Sequence, residues 1–229
     1  MRRFFLSVAS VAALAACSHF GPSSEQVSKD QIARVPPQDL AGVNQACVNL
    51  AEAEDEVARQ QLAVNSAKDE VEVANDEIET VEARIDKLNS EIKKAEQDRN
   101  TATLQRAQQQ LKLADAQLDA AKARVTSAKS GVDLANSQMA QAEAQRDLAK
   151  DQLEHEQYLA LKRSGDPEWK KVNANGIQSR LDDDKKKVEQ ARLDVQHQQT
   201  RAAANGAAWQ AAVQTYQRMS GTGGAGSNK

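Results

Sequence analysis

Two cysteines, three histidines and one acidic-basic run are the residues of this 229-residue chain best equipped for chemistry. A catalytic or metal centre needs several such residues on one face at ligand spacing. His19, His155 and His197 are scattered, and none stands at that spacing from a Cys or another His. His155 to Tyr158, HEQY, reads as a wetted helix surface. Asp182 to Lys187, DDDKKK, suggests at first a cation site or a basic patch. On a helix its three carboxylates point apart. Asp182 with Lys186 and Asp183 with Lys187 then form four-apart ion pairs, each worth about 0.2–0.5 kcal/mol. Gly221 to Gly226 lacks the strand and helix that a phosphate loop requires. The residues therefore offer no catalytic constellation, no metal site and no cofactor site, and the chain is expected not to be an enzyme. A net charge of −3 with the signs interspersed leaves no electrostatic footprint for nucleic acid.

Cys17 stands in a context of its own. Arg2 and Arg3 form a basic start, and Phe4 to Ala16 is a mainly apolar run. That run is shorter than the roughly 20 residues a membrane-spanning helix needs, and it suits a secretory signal. It ends in Leu14-Ala15-Ala16-Cys17. LAAC resembles the lipobox of bacterial lipoproteins. The resemblance implies cleavage before Cys17, which becomes the mature N-terminus and carries the acyl chains, palmitate among them. More than one chain makes such an anchor stable. In that class an Asp after the Cys commonly marks inner-membrane retention; Ser18 stands here, which implies the outer membrane, facing the periplasm. RRFFL, Arg2 to Leu6, also resembles the twin-arginine export pattern, so the export route stays open between the two systems.

These chemical residues are set on a mostly helical frame. Charged residues make up 28% of the chain and aromatic residues 3%, too few large side chains for an ordinary globular core. Ala, Gln, Glu, Asp, Lys and Leu dominate, which points to long helices. Residues 17–40 hold Pro22, Pro36 and Pro37 among Ser and Gly, and are expected to be a flexible tether. Residues 220–229 are expected to be a disordered Gly/Ser tail.

From Leu50 a heptad seam runs through Val57, Val64, Val71, Ile78, Ile85 and Ile92 to Arg99. Its companion column is Ala53, Gln60, Ala67, Ala74, Val81, Leu88, Ala95 and Ala102. A seam held this long at 3.5 residues per turn implies a supercoiled partner. A second seam starts at Leu104 and runs through Leu111, Leu118, Val125, Val132, Met139 and Arg146 to Leu153, beside a column that is Ala at every position from Ala107 to Ala149 and ends at Glu156. The step from Arg99 to Leu104 fits neither the insertion of four nor that of three that a continuous coiled coil absorbs. A fold-back satisfies both columns. In the antiparallel register Ile92 faces Ala114, Ile85 faces Ala121 and Val71 faces Ala135, large against small in most layers. The same register puts Gln60 and Arg146 in one layer. The fold class is therefore all-α: a long antiparallel coiled-coil hairpin over 41–163 with its tip near 98–103. Each arm would be about 80 Å long at 1.5 Å per residue. At the tip Asn100 is expected to take the left-handed conformation, and Thr101 or Thr103 to cap the returning helix.

Gly165, Asp166 and Pro167 break the second arm and start a third helix over 164–219. Its seam, from Ile177 through Leu181, Asp184, Val188, Ala191, Val195, Gln198, Ala202, Asn205, Trp209, Ala212 and Tyr216 to Met219, is interrupted by three polar residues. Packed alongside the hairpin, it would complete an elongated three-helix bundle. That needs a second apolar stripe on the arms, and Leu62 and Val73, or Leu113, Ala120 and Leu134, supply partial ones. Self-association of the third helix is the other arrangement open to it. Trp169, Trp209 and Tyr216 are expected to fill the ends of the bundle, with a partner-facing patch as the alternative.

These features together predict a non-enzymatic, lipid-anchored periplasmic stalk that spaces, braces or scaffolds the cell envelope. The membrane is its first partner, through Cys17, and self-association or another envelope protein its second. Murein lipoprotein is similar in joining a lipid anchor to a coiled coil and in ending in Lys. That resemblance would imply peptidoglycan attachment at Lys229, the single matching position. The alternative function is an adaptor or accessory subunit of an envelope transport or secretion complex, docking through Arg99, Asn100, Thr101 and Thr103 at the tip. Cys47 has no partner within the chain once Cys17 is acylated, so a quiet, partly buried thiol and an intermolecular disulfide are its two open fates.

Overall fold

The computed structural model describes residues 27–165, 169 and 174–222. Among them every regular element is a helix. In chain order these are α1 (Lys29–Ile32), a 3-10 turn (Pro37–Asp39), α2 (Ala41–Gln97), α3 (Thr101–Ser164) and α4 (Asn175–Thr222). The all-α expectation holds. The third helix begins at Asn175 rather than just after Gly165; Asp166 and Pro167 lie outside the described residues.

The two arms meet at a turn of three residues. Arg99 takes the left-handed conformation, with φ of 54°, in place of Asn100. The Arg99 N–H bonds to the Glu96 carbonyl (3.2 Å) and the Asn100 N–H to the Ala95 carbonyl (2.8 Å). That pair is a Schellman closure of α2. Asn100 also serves the returning helix, where its Oδ1 accepts the Thr103 N–H at 3.1 Å. Asn100 thus caps α3, in place of Thr101 or Thr103. One residue ends one helix and starts the next, so Asn100→Ala should cost about 1 kcal/mol in thermal or urea denaturation, and Asn100→Asp much less. The other end of α3 stops at Gly165, φ 84°, as its sequence predicts.

The long helices run through two compact units, Met1–Gln60 with Gln138–Leu193 and Gln61–Ser137 with Asp194–Lys229. In the second unit α2 and α3 run antiparallel: Arg84 Nη1 donates to Gln117 Oε1 (3.3 Å), and Arg124 reaches back to Glu77 and Glu70. Apart from Glu77, every covered residue from Gln61 to Gln97 lies in the two seam columns. Leu62 and Val73 are 69% and 51% exposed, so α2 offers no second stripe. The second stripe belongs to α3, where Ala120 and Ser130 are buried and Leu113 and Leu134 half-buried. There α4 docks: Arg201 pairs with Asp133 at 3.5 Å, and Asn205 Nδ2 donates to Ser130 Oγ.

In the first unit the core is a cluster that includes Val35, Val43 and Leu50, Leu153, Tyr158 and Leu161, and Trp169, Ile177 and Leu181. One expectation fails here. The segment expected to be a tether is folded over residues 27–40. Ser28 and Gln31 cap α1 reciprocally, Val35 is 4% exposed, and Arg163 Nη2 donates to the Asp39 carbonyl. Val27, Ile32 and Leu40 pack on the same cluster, because it holds enough large side chains to bury them. Gln60 and Arg146 each turn to their own helix, Gln60 to Glu56 (2.6 Å) and Arg146 to Asp147 (2.7 Å). Both are half-buried, and solvent lets each take a nearer carboxylate than a cross-helix partner.

Candidate functional site

The residues expected at the tip, Arg99, Asn100, Thr101 and Thr103, are brought together and are all exposed. The polar turn they form is held by its own backbone bonds, which leaves the Arg99 and Thr101 side chains outward. Cys17 and Lys229 lie outside the described residues. Cys47 is half-buried and packs against the cluster that holds Ala46 and Leu50.

Tyr158 corrects the reading of HEQY as a wet surface. It is 2% exposed and meets Trp169 edge-on, with ring centroids 6.2 Å apart. Lys162 Nζ lies 5.6 Å from its ring centroid and closes that side. Trp169, itself 7% exposed, therefore packs into the core of the first unit. Trp209 is half-covered, with the Arg124 guanidinium 5.8 Å from its ring centroid. Tyr216 is half-buried.

The DDDKKK run pairs at a spacing of three rather than four. Lys185 reaches Asp182 (3.3 Å), Lys186 reaches Asp183 (2.9 Å) and Lys187 reaches Asp184 (2.7 Å). The three-residue spacing is also a helical neighbour relation, and it lets all three pairs form together. Asp184 differs from its neighbours because it sits in the seam, with its side chain 9% exposed. Across the α3–α4 contact Arg180 donates from Nε to Asp151 Oδ2 (3.2 Å) and from Nη2 to Glu154 Oε2 (2.5 Å). Asp147, Asp151, Glu154 and Asp184 thus gather near Arg180 and Lys187 in the first unit.

Burial raises the Asp151 pKa above its ordinary carboxylate value; Arg180 opposes the shift, and Asp184 and Glu154 add to it. The folded state then holds the Asp151 proton more tightly than the unfolded chain does. Stability from this group rises as pH falls through the raised pKa, and is lost as pH climbs above it. Asp151→Asn should accordingly be more stable than the parent at pH 7, with the gap closing in acid. Urea midpoints of both proteins measured across that range check the sign.

Sequence reasoning missed two groups. Arg124 joins all three long helices in the second unit, with Nη1 to Glu77 Oε2 at 2.8 Å and Nη2 to Glu70 Oε1 at 2.6 Å, while its face lies over Trp209. The signal was present as an Arg one residue before the seam residue Val125. The second group is the open groove lined by Lys112, Asp115, Asp119, Ala212, Thr215 and Met219. No described helix is long and apolar enough to cross a membrane. The chain matches no protein-family model, no curated protein and no solved structure.

Proposed function

We propose that the chain is an outer-membrane lipoprotein whose helices form a periplasmic stalk that spaces or braces the envelope, without catalysis. One observation carries this reading. A LAAC sequence at 14–17 closes an export-type apolar run, and the chain that follows is built from long helices joined by a turn of three residues. Helices of 57 and 64 residues have contours of about 85 and 95 Å at 1.5 Å per residue, which suits holding a distance. In the finer arrangement the arms are an antiparallel coiled coil with Ile92 on Ala114, Ile85 on Ala121 and Val71 on Ala135, and α4 completes an elongated three-helix bundle. The buried state of Ala74, Ala114, Ala121 and Ala135 supports that register, since small residues disappear wherever a large one faces them.

Acylated Cys17 is the anchor, and the exposed tip is the place to seek a protein partner. Expressed in a bacterium with an outer membrane, the parent should take up labelled palmitate and sediment with that membrane. Cys17→Ser should lose the label and leave the membrane fraction. Equal sedimentation of parent and variant, with no label in either, would remove the proposal.

A further inference from the structure

In the second unit α2 and α3 bury Val64, Ala74, Val81 and Leu88 against Ala107, Ala114, Ala121 and Val125. Among the described residues α4 buries Val195 alone there. Its seat also carries two weaknesses. Gln198 Oε1 is buried with no hydrogen-bond partner, which disfavours the closed position. Gly206 sits inside the helix although a Cβ at that position would meet only Ser127 Oγ, at 3.8 Å, an ordinary contact. Ala therefore fits, and Gly in its place disfavours the helix about fivefold.

The polar contacts are the kind that part without leaving a buried charge. Asn205 holds Ser130, whose Oγ also donates to the Thr126 carbonyl. Arg201 and Asp133 are both about half exposed, so their pair contributes little. Arg124 keeps Glu77 and Glu70 whether or not Trp209 lies over it.

We propose that α4 from Gln196 to Met219 is a strap that opens from α3 while α2 and α3 stay paired. Opening uncovers Trp209, Tyr216 and the small-residue face of α3 around Ala120 and Ser130. The inference stands apart from the membrane anchor and survives or fails without it.

Hydrogen exchange followed by mass spectrometry on the full chain tests it. Peptides from 196–219 should exchange at least about tenfold faster than those from 64–95 and 107–135, as a separately opening segment does. Gln198→Leu should slow the strap about tenfold and Gly206→Ala about fivefold, with α2 and α3 peptides unchanged. Gly206→Ala adds one methyl at a half-covered position, so it keeps the test alive should Gln198→Leu fold poorly. Strap protection equal to that of α3 overturns the proposal. So does slowing of all three helices together, or a strap that ignores both substitutions.

Discussion

Leu153→Ala is expected to lower stability by about 3–4 kcal/mol, the largest loss of any single truncation here. Leu153 has no exposed surface and belongs to the cluster that also holds Val35, Tyr158, Leu161 and Leu181. Truncation removes the transfer energy of the lost carbons and leaves a cavity. Collapse into that cavity is hindered, because long helices fix the backbone on several sides. The same cluster seats residues 27–40, so the loss should appear there as well: the Val35 segment should become sensitive to limited proteolysis before the rest of the chain does. Leu153→Met, close in volume, should cost less than about 1.5 kcal/mol. Urea denaturation of the three proteins makes the comparison, and a Leu153→Ala cost below about 1 kcal/mol would show that this core is not continuous.

Periodicity made the second unit readable and left the first obscure, for a physical reason. A seam is a local pattern: each position three or four residues on lies on the same face, so burial follows from spacing alone. That is why α2 from Gln61 onward covers only Glu77 outside its two columns, and why every residue of the α4 seam except Met219 is buried or half-buried. Leu62 and Val73 mislead because a lone apolar residue does not define a face, and nothing in α2 itself says that α4 chose α3. Tyr158 and Val35 are buried by partners distant in sequence, Trp169 and the α2–α4 cluster, which no periodicity reports. Ser28 and Gln31 did spell a capping box, a local signal inside a segment whose prolines spoke louder.

The tip shows how close a local reading can come. An interruption between Arg99 and Leu104 located the turn, and Asn is the usual left-handed residue after Gly. The turn has one Asn and two demands, a left-handed residue and a side-chain oxygen for the Thr103 N–H. The second demand cannot be met by Arg, so the left-handed position falls on Arg99 and Asn100 serves as the cap.

Arg124→Glu should be the most damaging substitution of a charged residue. Arg124 is 24% exposed at its side chain, and it reaches two carboxylates on α2 from α3. Glu77 and Glu70 raise its pKa further, so it is charged at every accessible pH. A glutamate here loses both charge-assisted bonds and adds a third carboxylate beside Glu70 and Glu77. Because those partners are 51% and 37% exposed, water screens part of the effect, and the expected cost is about 2–3 kcal/mol rather than the larger figure for a buried pair. Two controls separate charge from packing. Arg124→Gln removes the charge without repulsion and should cost about half as much, part of it from the lost contact with Trp209. Arg124→Glu combined with Glu77→Arg restores one pair and should recover about 1 kcal/mol. Raising salt to about 0.5 M should narrow the difference between Arg124→Glu and the parent, since repulsion between partly exposed charges is screened. A cost that is unchanged by salt and not relieved by the second substitution would mean that Arg124 acts through its aliphatic stem, packed between the helices, and that its ion pairs contribute nothing to pairing α2 with α3.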